Sequence, residues 1–280
     1  MFKISIITAI HNGLSFNELY WESLHKHTFH PFELIIIDNC SADGSAAFFE
    51  THGAIVIRNK ENYSYPYTQN QGISVATGEY LVFLNNDIAV APHWDKHLIE
   101  TATQHGIDII SGKGIENMGN RDETKLYDRR WKRIKYPIYG IMGLRKKALQ
   151  WMLQLMYGNW EQFCEKQWNK YQAEVVEGIL GNNVMMSRKA LAVLGNWDER
   201  LQAADFDLFM RAKKRALEVG DIKPCHIALG VFVHHYIRLT VKYSARPKPF
   251  ADRDKLINLD DKWSEVERIR LHPDNASKLA

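Results

Sequence analysis

Short apolar runs alternate with helix-like stretches along the first 112 residues of this 280-residue chain. Because every position of a run such as 34–37 is apolar, both of its faces are expected to be covered, as in a sheet flanked by helices. The alternation therefore predicts βαβ units, and hence an α/β fold with a mostly parallel central sheet and helices on both faces. The predicted strands lie at 3–8, 33–38, 54–57, 79–84, 107–111 and, later in the chain, 227–233.

Composition excludes several classes of protein. Hydrophobic residues make up 45% of the chain and charged residues 25%, as is typical of a folded globular protein. No apolar run reaches the roughly 18 residues that cross a bilayer, and the start lacks a basic leader. Cys40, Cys164 and Cys225 lack the spacing of a disulfide framework or a zinc site. The net charge of +3 is too small for a nucleic-acid footprint over the whole molecule. We therefore expect a cytoplasmic protein that does not bind nucleic acid.

Local signals place several helix ends. Ser15 and Glu18 have the spacing of a capping box. Ser187 is expected to cap a short helix that ends at Gly195. A further helix is predicted over 205–220.

A basic segment interrupts the α/β pattern between residues 113 and 177. Its part from 121 to 147 has a net charge of +7, and apolar residues recur at helical spacing over 144–156. Three interpretations stay open: a solvated helix face, a patch of 121–160 that meets a membrane surface, and a wall that binds an acidic acceptor or a partner subunit. Four of the eight tryptophans fall in this segment: Trp131, Trp151, Trp160 and Trp168.

Polar residues follow three of the predicted strands, where ligands bind in open parallel sheets. The polar segment after the first strand begins at His11, and the one after the second strand begins at Asp38. The segment after the fourth strand begins at Asn85 and continues to Asp87. The first exit lacks the G-x-G-x-x-G that brings a pyrophosphate against backbone amides, which excludes a dinucleotide oxidoreductase. A phosphate-bearing ligand held through a divalent ion remains, with Asp87 as the natural protein ligand.

The motifs at these exits resemble the nucleotide-sugar half of the family 2 glycosyltransferases, which have the GT-A fold. A later segment is similar to that family's acceptor half. The matching strings are 4–7, 35–45, 70–72 and 76–87 in the first half, and 181–188, 194–201 and 205–208 in the second.

The resemblance implies a set of donor and metal residues. Asp38 would contact the nucleobase and Asp43 would lie near the ribose. Asp87 would be the metal-binding end of the family's D-x-D element, and His235, favoured over His234 by its spacing to Thr240, would complete the metal shell. The implied ion is Mn²⁺ or Mg²⁺, and an imidazole among oxygen ligands fits Mn²⁺ better. The remaining donor-binding residues would be His11, Asn39, Asn86 and Arg238, whose planar guanidinium suits diphosphate oxygens.

The resemblance also implies catalytic and acceptor residues. Asp205 would be the general base, kept ionised by the N-terminal end of its helix. Asp207 lies about 200° further around that helix, so only one of the two acids can face a given cleft. Trp197 is expected either to stack on an acceptor sugar or to fill the core. Asp198 and Asp207 are the other predicted acceptor contacts, and Phe206 is expected in the core.

The chain departs from the family pattern at four places, and two of these departures, Ala204 and the residues after the first strand, motivate a rival hypothesis. Ala9-Ile10 replaces Pro-Thr, Asn85 replaces the first acid of D-x-D, Ala204 replaces a Glu, and Ile237-Arg238 replaces a glycine pair. The rival is a non-catalytic protein that binds a nucleotide sugar or a glycan. A nucleotidyltransferase would normally carry a glycine-rich basic loop after the first strand, and this chain has none.

These observations predict one GT-A domain over 1–240 and a helical tail over 241–280. The domain divides into a nucleotide-sugar half at 1–112, the basic helical insertion at 113–177 and an acceptor half at 178–240. The predicted activity is metal-dependent transfer, with inversion, from a UDP-, dTDP- or GDP-sugar to a hydroxyl of a glycan or lipid-linked acceptor. We expect a cytoplasmic location, with peripheral contact at the inner membrane face through 121–160, and a homo-oligomer as a further option.

Overall fold

A computed structural model of the protein describes residues 3–239 and 249–272. The strands in these ranges are β1 (Ile4–Ile10), β2 (Phe32–Asn39), β3 (Ile55–Asn59), β4 (Tyr80–Leu84), β5 (Ile88–Val90), β6 (Ile109–Lys113), β7 (Val175–Glu177), β8 (Asn183–Ser187) and β9 (His226–His235). The α-helices are α1 (Leu14–His27), α2 (Ser45–Thr51), α3 (Tyr65–Val75), α4 (Trp94–His105), α5 (Arg121–Met142), α6 (Lys146–Tyr157), α7 (Trp160–Tyr171), α8 (Arg188–Leu194), α9 (Ala204–Glu218), α10 (Leu259–Lys262) and α11 (Glu265–Leu271).

The strands form one sheet in the order β3-β2-β1-β4-β8-β6-β9-β5, with β7 paired to β9. All six predicted strands run parallel to one another, which confirms the predicted α/β class. The three antiparallel strands were not predicted, because β5 and β7 have only three residues each and β8 lies outside the βαβ rhythm. As a result, the carboxyl ends of β1, β2, β4, β6 and β9 share one edge of the sheet.

The start of α1 differs from the prediction. The helix begins at Leu14, after Gly13 in the left-handed conformation at a φ of 88°, and no side chain caps it. Ser15 therefore lies inside the first turn, so the expected capping box with Glu18 does not form. The predicted cap of α8 is confirmed, since the Ser187 hydroxyl accepts a hydrogen bond from the Ala190 amide at 3.1 Å.

Each face of the sheet has its own core. Alternate residues of β1 point to opposite sides, so Ile6 packs with Tyr20 and Trp94 while Ile7 packs with the layer formed by α3 and α9. Helix α3 lies unusually close to β1, because a Cβ on Gly72 would stand 2.2 Å from Ile7 Cγ2. This close approach requires glycine at that position.

The basic insertion forms α5, α6 and α7. Trp131 and Met152 are buried in a third core cluster beneath α5 and α6. The predicted apolar stripe of α6 is only partly buried, because Trp151 and Leu155 lie on the outer side of the helix and are exposed. Among the described residues, no helix is both long and apolar enough to cross a bilayer.

The described part of the predicted tail, 249–272, contains the short helices α10 and α11 and packs onto the main domain, whereas 241–248 and 273–280 lie outside the described residues. Trp263 and Leu271 are buried in the same core cluster as Leu208 of α9. The Asp252 carboxylate accepts hydrogen bonds from the amide and the hydroxyl of Ser64, at 2.9 and 2.6 Å. This segment therefore completes the fold.

Asp207 joins α9 to this segment from a fully buried position. Its carboxylate accepts from Arg211 Nε at 2.7 Å and from Trp263 Nε1 at 2.9 Å, and Lys262 Nζ lies 2.6 Å away. The prediction that Asp207 contacts an acceptor is wrong, because the carboxylate is enclosed and already paired.

We predict that Asp207→Ala lowers the free energy of unfolding by about 2 to 4 kcal/mol, because it removes a fully buried carboxylate from two partly buried cationic groups and from the Trp263 indole. Urea denaturation followed by circular dichroism measures the change. Asp221→Ala, which removes the exposed partner of Arg215, is the control and should cost much less. Equal losses in the two variants would contradict a structural role for Asp207.

Candidate functional site

A cleft of about 400 Å³ opens at the edge of the sheet where the parallel strands end. The start of α3, the end of β4, the loop after β6, the turn before β8, the first turn of α9 and the end of β9 all contribute to it. Its ionisable and amide side chains include Glu116, Asn182, Asp205 and His235. The cleft therefore gathers polar groups from segments that are far apart in the sequence.

The pairing of β5 with β9 brings Asp87 to His235. Ile88 is paired with His235 in this antiparallel ladder, so Asp87 stands beside the end of β9. Asp87 Oδ1 lies 3.2 Å from His235 Nε2, and the Asp87 carbonyl accepts from the Tyr236 amide at 2.9 Å. Two side chains that the sequence predicted as metal ligands are thus in contact.

Glu116 holds the other side of the same imidazole. Its Oε1 is hydrogen-bonded to His235 Nδ1 and accepts from Asn182 Nδ2 at 3.1 Å. Burial disfavours the imidazolium of His235, but the charges and hydrogen bonds of Asp87 and Glu116 outweigh it and raise the pKa of His235 to about 10. Glu116 Oε2 is buried without a hydrogen-bond partner among the described residues.

Sequence reasoning missed Glu116, although a signal was present. Glu116 follows β6, and β6 ends at the same edge of the sheet as β1, β2 and β4. Polar residues that follow the carboxyl ends of parallel strands are expected to form the site, and Glu116 meets this criterion as well as His11, Asp38 and Asn85 do. A Cβ on Gly114 would stand 2.9 Å from Glu116 Oε2, so a glycine makes room for the carboxylate.

Asp87 and His235 fit a divalent ion that is shared with a phosphate ligand. Within 3–239 and 249–272, no group of three or more His, Cys, Asp or Glu side chains could hold a metal alone. Adjacent ligands of an octahedral ion, at about 2.1 Å from it, stand about 3 Å apart, close to the 3.2 Å between Oδ1 and Nε2. A metal-bound histidine normally has its other nitrogen held by a carboxylate, and Glu116 occupies that place.

His234 belongs to the core. It is fully buried on the opposite side of β9, with its ring 4.8 Å from the Trp131 ring in edge-to-face contact. Burial lowers the pKa of His234 to about 3. Of the two adjacent histidines, His235 is the one that reaches Asp87.

Asp205 faces the cleft from the first turn of α9. Ala203 is at the N-cap, and Asp205 is the second residue of the helix. Burial raises the pKa of Asp205, and a hydrogen bond from the Phe206 amide offsets only part of this effect. This direction is opposite to the one expected from the helix N-terminus. Phe206 was expected in the core, but it is exposed at the cleft.

Gly181 is required beside Asp205. A Cβ at this position would stand 2.3 Å from Asp205 Oδ2, which is too close for any side chain. The turn before β8 therefore holds the carboxylate closely, and a larger residue would displace it.

Tyr65 is a second residue that sequence reasoning missed. It lines the cleft, and its buried hydroxyl has no hydrogen-bond partner among the described residues. Burial, followed by the charge of Asp205, raises the pKa of Tyr65. Because buried hydroxyls normally find a partner, this one is a candidate to bind a ligand. No sequence motif marked it.

The predicted donor residues form a separate cluster at the ends of β1 and β2. His11 Nδ1 donates to the Asn39 carbonyl at 2.7 Å, and the buried Asp38 accepts from the Ser41 amide at 3.1 Å. The Asn39 side chain donates to the Tyr63 carbonyl at 3.0 Å. Asp38 does not line the cleft, because β1 separates β2 from β4.

Hydrogen bonds connect this cluster to the end of β4. Asn86 Nδ2 donates to Asn17 Oδ1 at 2.7 Å, Asn17 Nδ2 donates to Ser45 Oγ at 2.8 Å, and Ser45 Oγ donates to Asp43 at 2.5 Å. Burial disfavours the charged form of Asp43, but hydrogen bonds from Ser45 and Leu14 outweigh it and lower its pKa.

The exposed Arg238, which was predicted to bind the diphosphate, lies three residues after His235.

Trp197 and Asp198 do not form an acceptor surface. Trp197 is buried, with its ring 5.0 Å from Phe83 and 5.6 Å from Tyr65, so it fills the core and cannot stack on a sugar. Asp198 is bonded to Arg200 and Lys262, and these contacts lower its pKa. For Trp197 the core alternative is therefore confirmed, whereas the acceptor role of Asp198, which pins the loop onto α10, stays a prediction.

We predict that Glu116→Gln lowers the pKa of His235 below about 10. The variant removes one of the two negative charges that favour the imidazolium, so the proton is lost at lower pH. An NMR titration of the histidine ring in metal-free protein measures the shift. Glu165→Gln, at an exposed position of α7, is the control, and an unchanged pKa in Glu116→Gln would contradict the contact.

The chain is similar in sequence to bacterial glycosyltransferases over part of its length. YibD, an uncharacterized glycosyltransferase of Escherichia coli, is 29% identical over 111 residues, which is 38% of this chain and 32% of YibD. The glycosyltransferase GlyG of Streptococcus pneumoniae is 28% identical over 126 residues, which is 43% of this chain and 40% of GlyG. The chain thus spans less than half the length of these relatives.

The solved structures support the fold. The mannosyltransferase PcManGT of Pyrobaculum calidifontis, solved with GDP-Man and Mn²⁺, superposes with a TM-score of 0.50 at 16% identity, over 81% of this chain and 57% of PcManGT. The predicted GT-A architecture is thereby confirmed. The model of glycosyl transferase family 2 matches residues 5–192, about two thirds of the chain, and the chain therefore belongs to that family.

Proposed function

We propose that the protein transfers a sugar from a nucleoside-diphosphate sugar to an acceptor hydroxyl, with inversion at the sugar carbon. The observation that carries the proposal is a single cleft that receives both Asp205 and the His235 side chain, which contacts Asp87. Family membership supports the reaction class. The GDP-Man bound to PcManGT supports a nucleoside-diphosphate donor, whose base and sugar are left open.

The donor would lie along the sheet edge, from the ends of β1 and β2 to the cleft. Asp38, Asp43 and His11 would face its nucleoside, while Asn86 and Arg238 would face its diphosphate. The hydrogen-bonded path from Asn86 through Asn17 and Ser45 to Asp43 supports this arrangement, because it fixes the two parts of the edge relative to each other.

Asp87 and His235 would hold a divalent ion, Mn²⁺ or Mg²⁺, beside the diphosphate. Such an ion neutralises negative charge on a diphosphate leaving group. Mn²⁺ is the ion in the PcManGT complex and accepts an imidazole among oxygen ligands. Glu116 would act as a positioning residue, because its bond to Nδ1 fixes the ring and directs Nε2 toward Asp87.

Asp205 would be the general base. It would remove the proton of the acceptor hydroxyl while that oxygen bonds to the sugar carbon and the bond from this carbon to the diphosphate oxygen breaks. The proton goes to Asp205, and the nucleoside diphosphate leaves as an anion. A raised pKa makes the carboxylate a stronger base, and the unpaired Tyr65 hydroxyl is placed to bind the acceptor nearby.

We predict that Asp205→Asn lowers kcat by about 10² to 10⁴, because the amide cannot accept the acceptor proton. A screen of UDP-, dTDP- and GDP-sugars, with mass spectrometry of the released nucleoside diphosphate, supplies the assay. Asp221→Asn, at an exposed site outside the cleft, is the matched control. A wild-type rate in Asp205→Asn would rule out its role as base.

The raised pKa of Asp205 predicts the acid limb of the pH profile. Only the ionised carboxylate acts as base, so kcat/KM falls as pH drops through the pKa of Asp205. This pKa lies above that of an ordinary aspartate, about 3.9, and the activity is therefore lost at a correspondingly higher pH. A midpoint at or below the ordinary value would contradict the assignment.

Asp87→Ala is expected to abolish turnover while the variant remains folded by circular dichroism. Chelation should likewise stop the reaction, and added Mn²⁺ should restore it only in the wild type. Retained turnover in Asp87→Ala would contradict a metal site. If nucleoside diphosphates bind with Mn²⁺ but no donor turns over, the chain is instead the non-catalytic binding protein that Ala204 suggests.

A further inference from the structure

The outer side of the α5–α6 hairpin carries exposed cationic side chains together with large exposed apolar side chains. The exposed basic residues are Lys125, Arg129, Arg130, Arg133, Arg145 and Lys147, and the exposed apolar residues are Leu126, Tyr136, Ile141, Trp151 and Leu155. We call these eleven residues the hairpin surface.

The apolar members are strongly exposed. The exposed fraction is 86% for Ile141, 63% for Leu126, 56% for Leu155 and 52% for Trp151. Burial inside the hairpin does not require them, because Ala148, Met152 and Met156 already form the inner side of α6. Apolar side chains grouped on a surface typically mark a site of contact with a protein or a membrane.

The two helices present these groups on the same side. The Arg130 guanidinium donates to the Leu155 carbonyl at 3.0 Å, which fixes the basic stripe of α5 beside the end of α6. Trp151 lies one turn before Leu155 on the same stripe of α6. Exposed cationic side chains of α5 and exposed apolar side chains of α6 therefore lie next to each other where this hydrogen bond joins the two helices.

The positive charge of this face is largely uncompensated. Lys146, at the edge of the hairpin, is neutralised by Glu18 and Glu22 of α1, and Lys132 by Asp128. In the described ranges, no carboxylate pairs with the six basic residues of the hairpin surface. The charge is thus available to an anionic partner.

We propose that the hairpin surface docks on an anionic phospholipid bilayer, with α5 and α6 lying in the plane of the interface. The headgroup region offers negative charge to Lys and Arg, and the hydrocarbon boundary accepts Trp, Ile and Leu. A dissolved acidic glycan would satisfy only the charges.

Helix α5 of the hairpin also contacts the end of β9, which contributes His235 to the cleft. Lys135 Nζ donates to the Ile237 carbonyl at 3.0 Å, two residues after His235, and Trp131 packs on His234. These contacts are made by the inner side of α5, so a bilayer against the hairpin surface would lie about one helix diameter, roughly 10 Å, from the end of β9. If the proposed glycosyl transfer is correct, this position favours an acceptor that is anchored in the lipid.

Vesicle flotation of the full chain tests docking without any donor or acceptor. The protein should float with vesicles of mixed phosphatidylcholine and phosphatidylglycerol, remain behind with phosphatidylcholine alone, and lose binding as salt rises. Arg129→Glu with Arg133→Glu should weaken binding at least about tenfold, since each basic residue near such a surface contributes about 1 kcal/mol. Ile141→Ser with Trp151→Ser should also weaken it.

Matched controls use residues of the same kind elsewhere. Val266→Ser removes an apolar side chain that is 75% exposed, and Lys60→Glu reverses an exposed charge outside the hairpin. Both should float like the wild type, and circular dichroism verifies that every variant is folded. Donor turnover measured without vesicles separates failure of docking from failure of the proposed reaction.

Three outcomes would overturn the proposal. They are flotation that is independent of phosphatidylglycerol, unchanged flotation after both double substitutions, and absence of flotation together with tight binding of a soluble polyanionic glycan to the same arginines. The last outcome would assign the hairpin surface to a dissolved acidic acceptor.

Discussion

The candidate site depends on the antiparallel pairing of β5 with β9. Strand β5 has only three residues, and its pairing places Asp87 beside the end of β9. Because Ile88 is paired with His235, it is His235, and not His234, that contacts the Asp87 carboxylate. Because side chains alternate along a strand, a shift by one residue would bury His235 and turn His234 toward the cleft. The contact between Asp87 and His235 at 3.2 Å is thus a property of the sheet.

Three aspartates in or near α9 show how environment separates structural from chemical roles. Asp207 is enclosed by cationic and indole donors, and the partly exposed Asp198 is bonded to Arg200 and Lys262, so both carboxylates serve to hold the structure together. Asp205 has one backbone donor and faces the cleft, where burial raises its pKa. The helical period correctly places Asp205 and Asp207 on opposite sides, but only the packed structure tells which side is open.

The sequence predicted what depends on local pattern. Apolar runs identified the six parallel strands, and the strand-exit rule found Asp87, whose partner His235 came from family resemblance. Long-range packing determined the rest. Glu116 and Tyr65 acquire their meaning from neighbours distant in the chain, and Trp197 belongs to the core because Phe83 and Tyr65 enclose it. The burial of α10 and α11 against α9 likewise depends on Trp263, which no local signal marks as a core residue.

The central claim is that Asp87 and His235 bind a divalent ion at the same cleft that Asp205 enters. The most direct measurement is a crystal structure of the chain with Mn²⁺ and a nucleoside diphosphate, in which anomalous scattering locates the metal. The account predicts a Mn²⁺ ion bonded to the Asp87 carboxylate, His235 Nε2 and the diphosphate, with Glu116 still on Nδ1. A nucleotide-bound Mn²⁺ ion elsewhere, with the Asp87 to His235 contact unchanged, would contradict it.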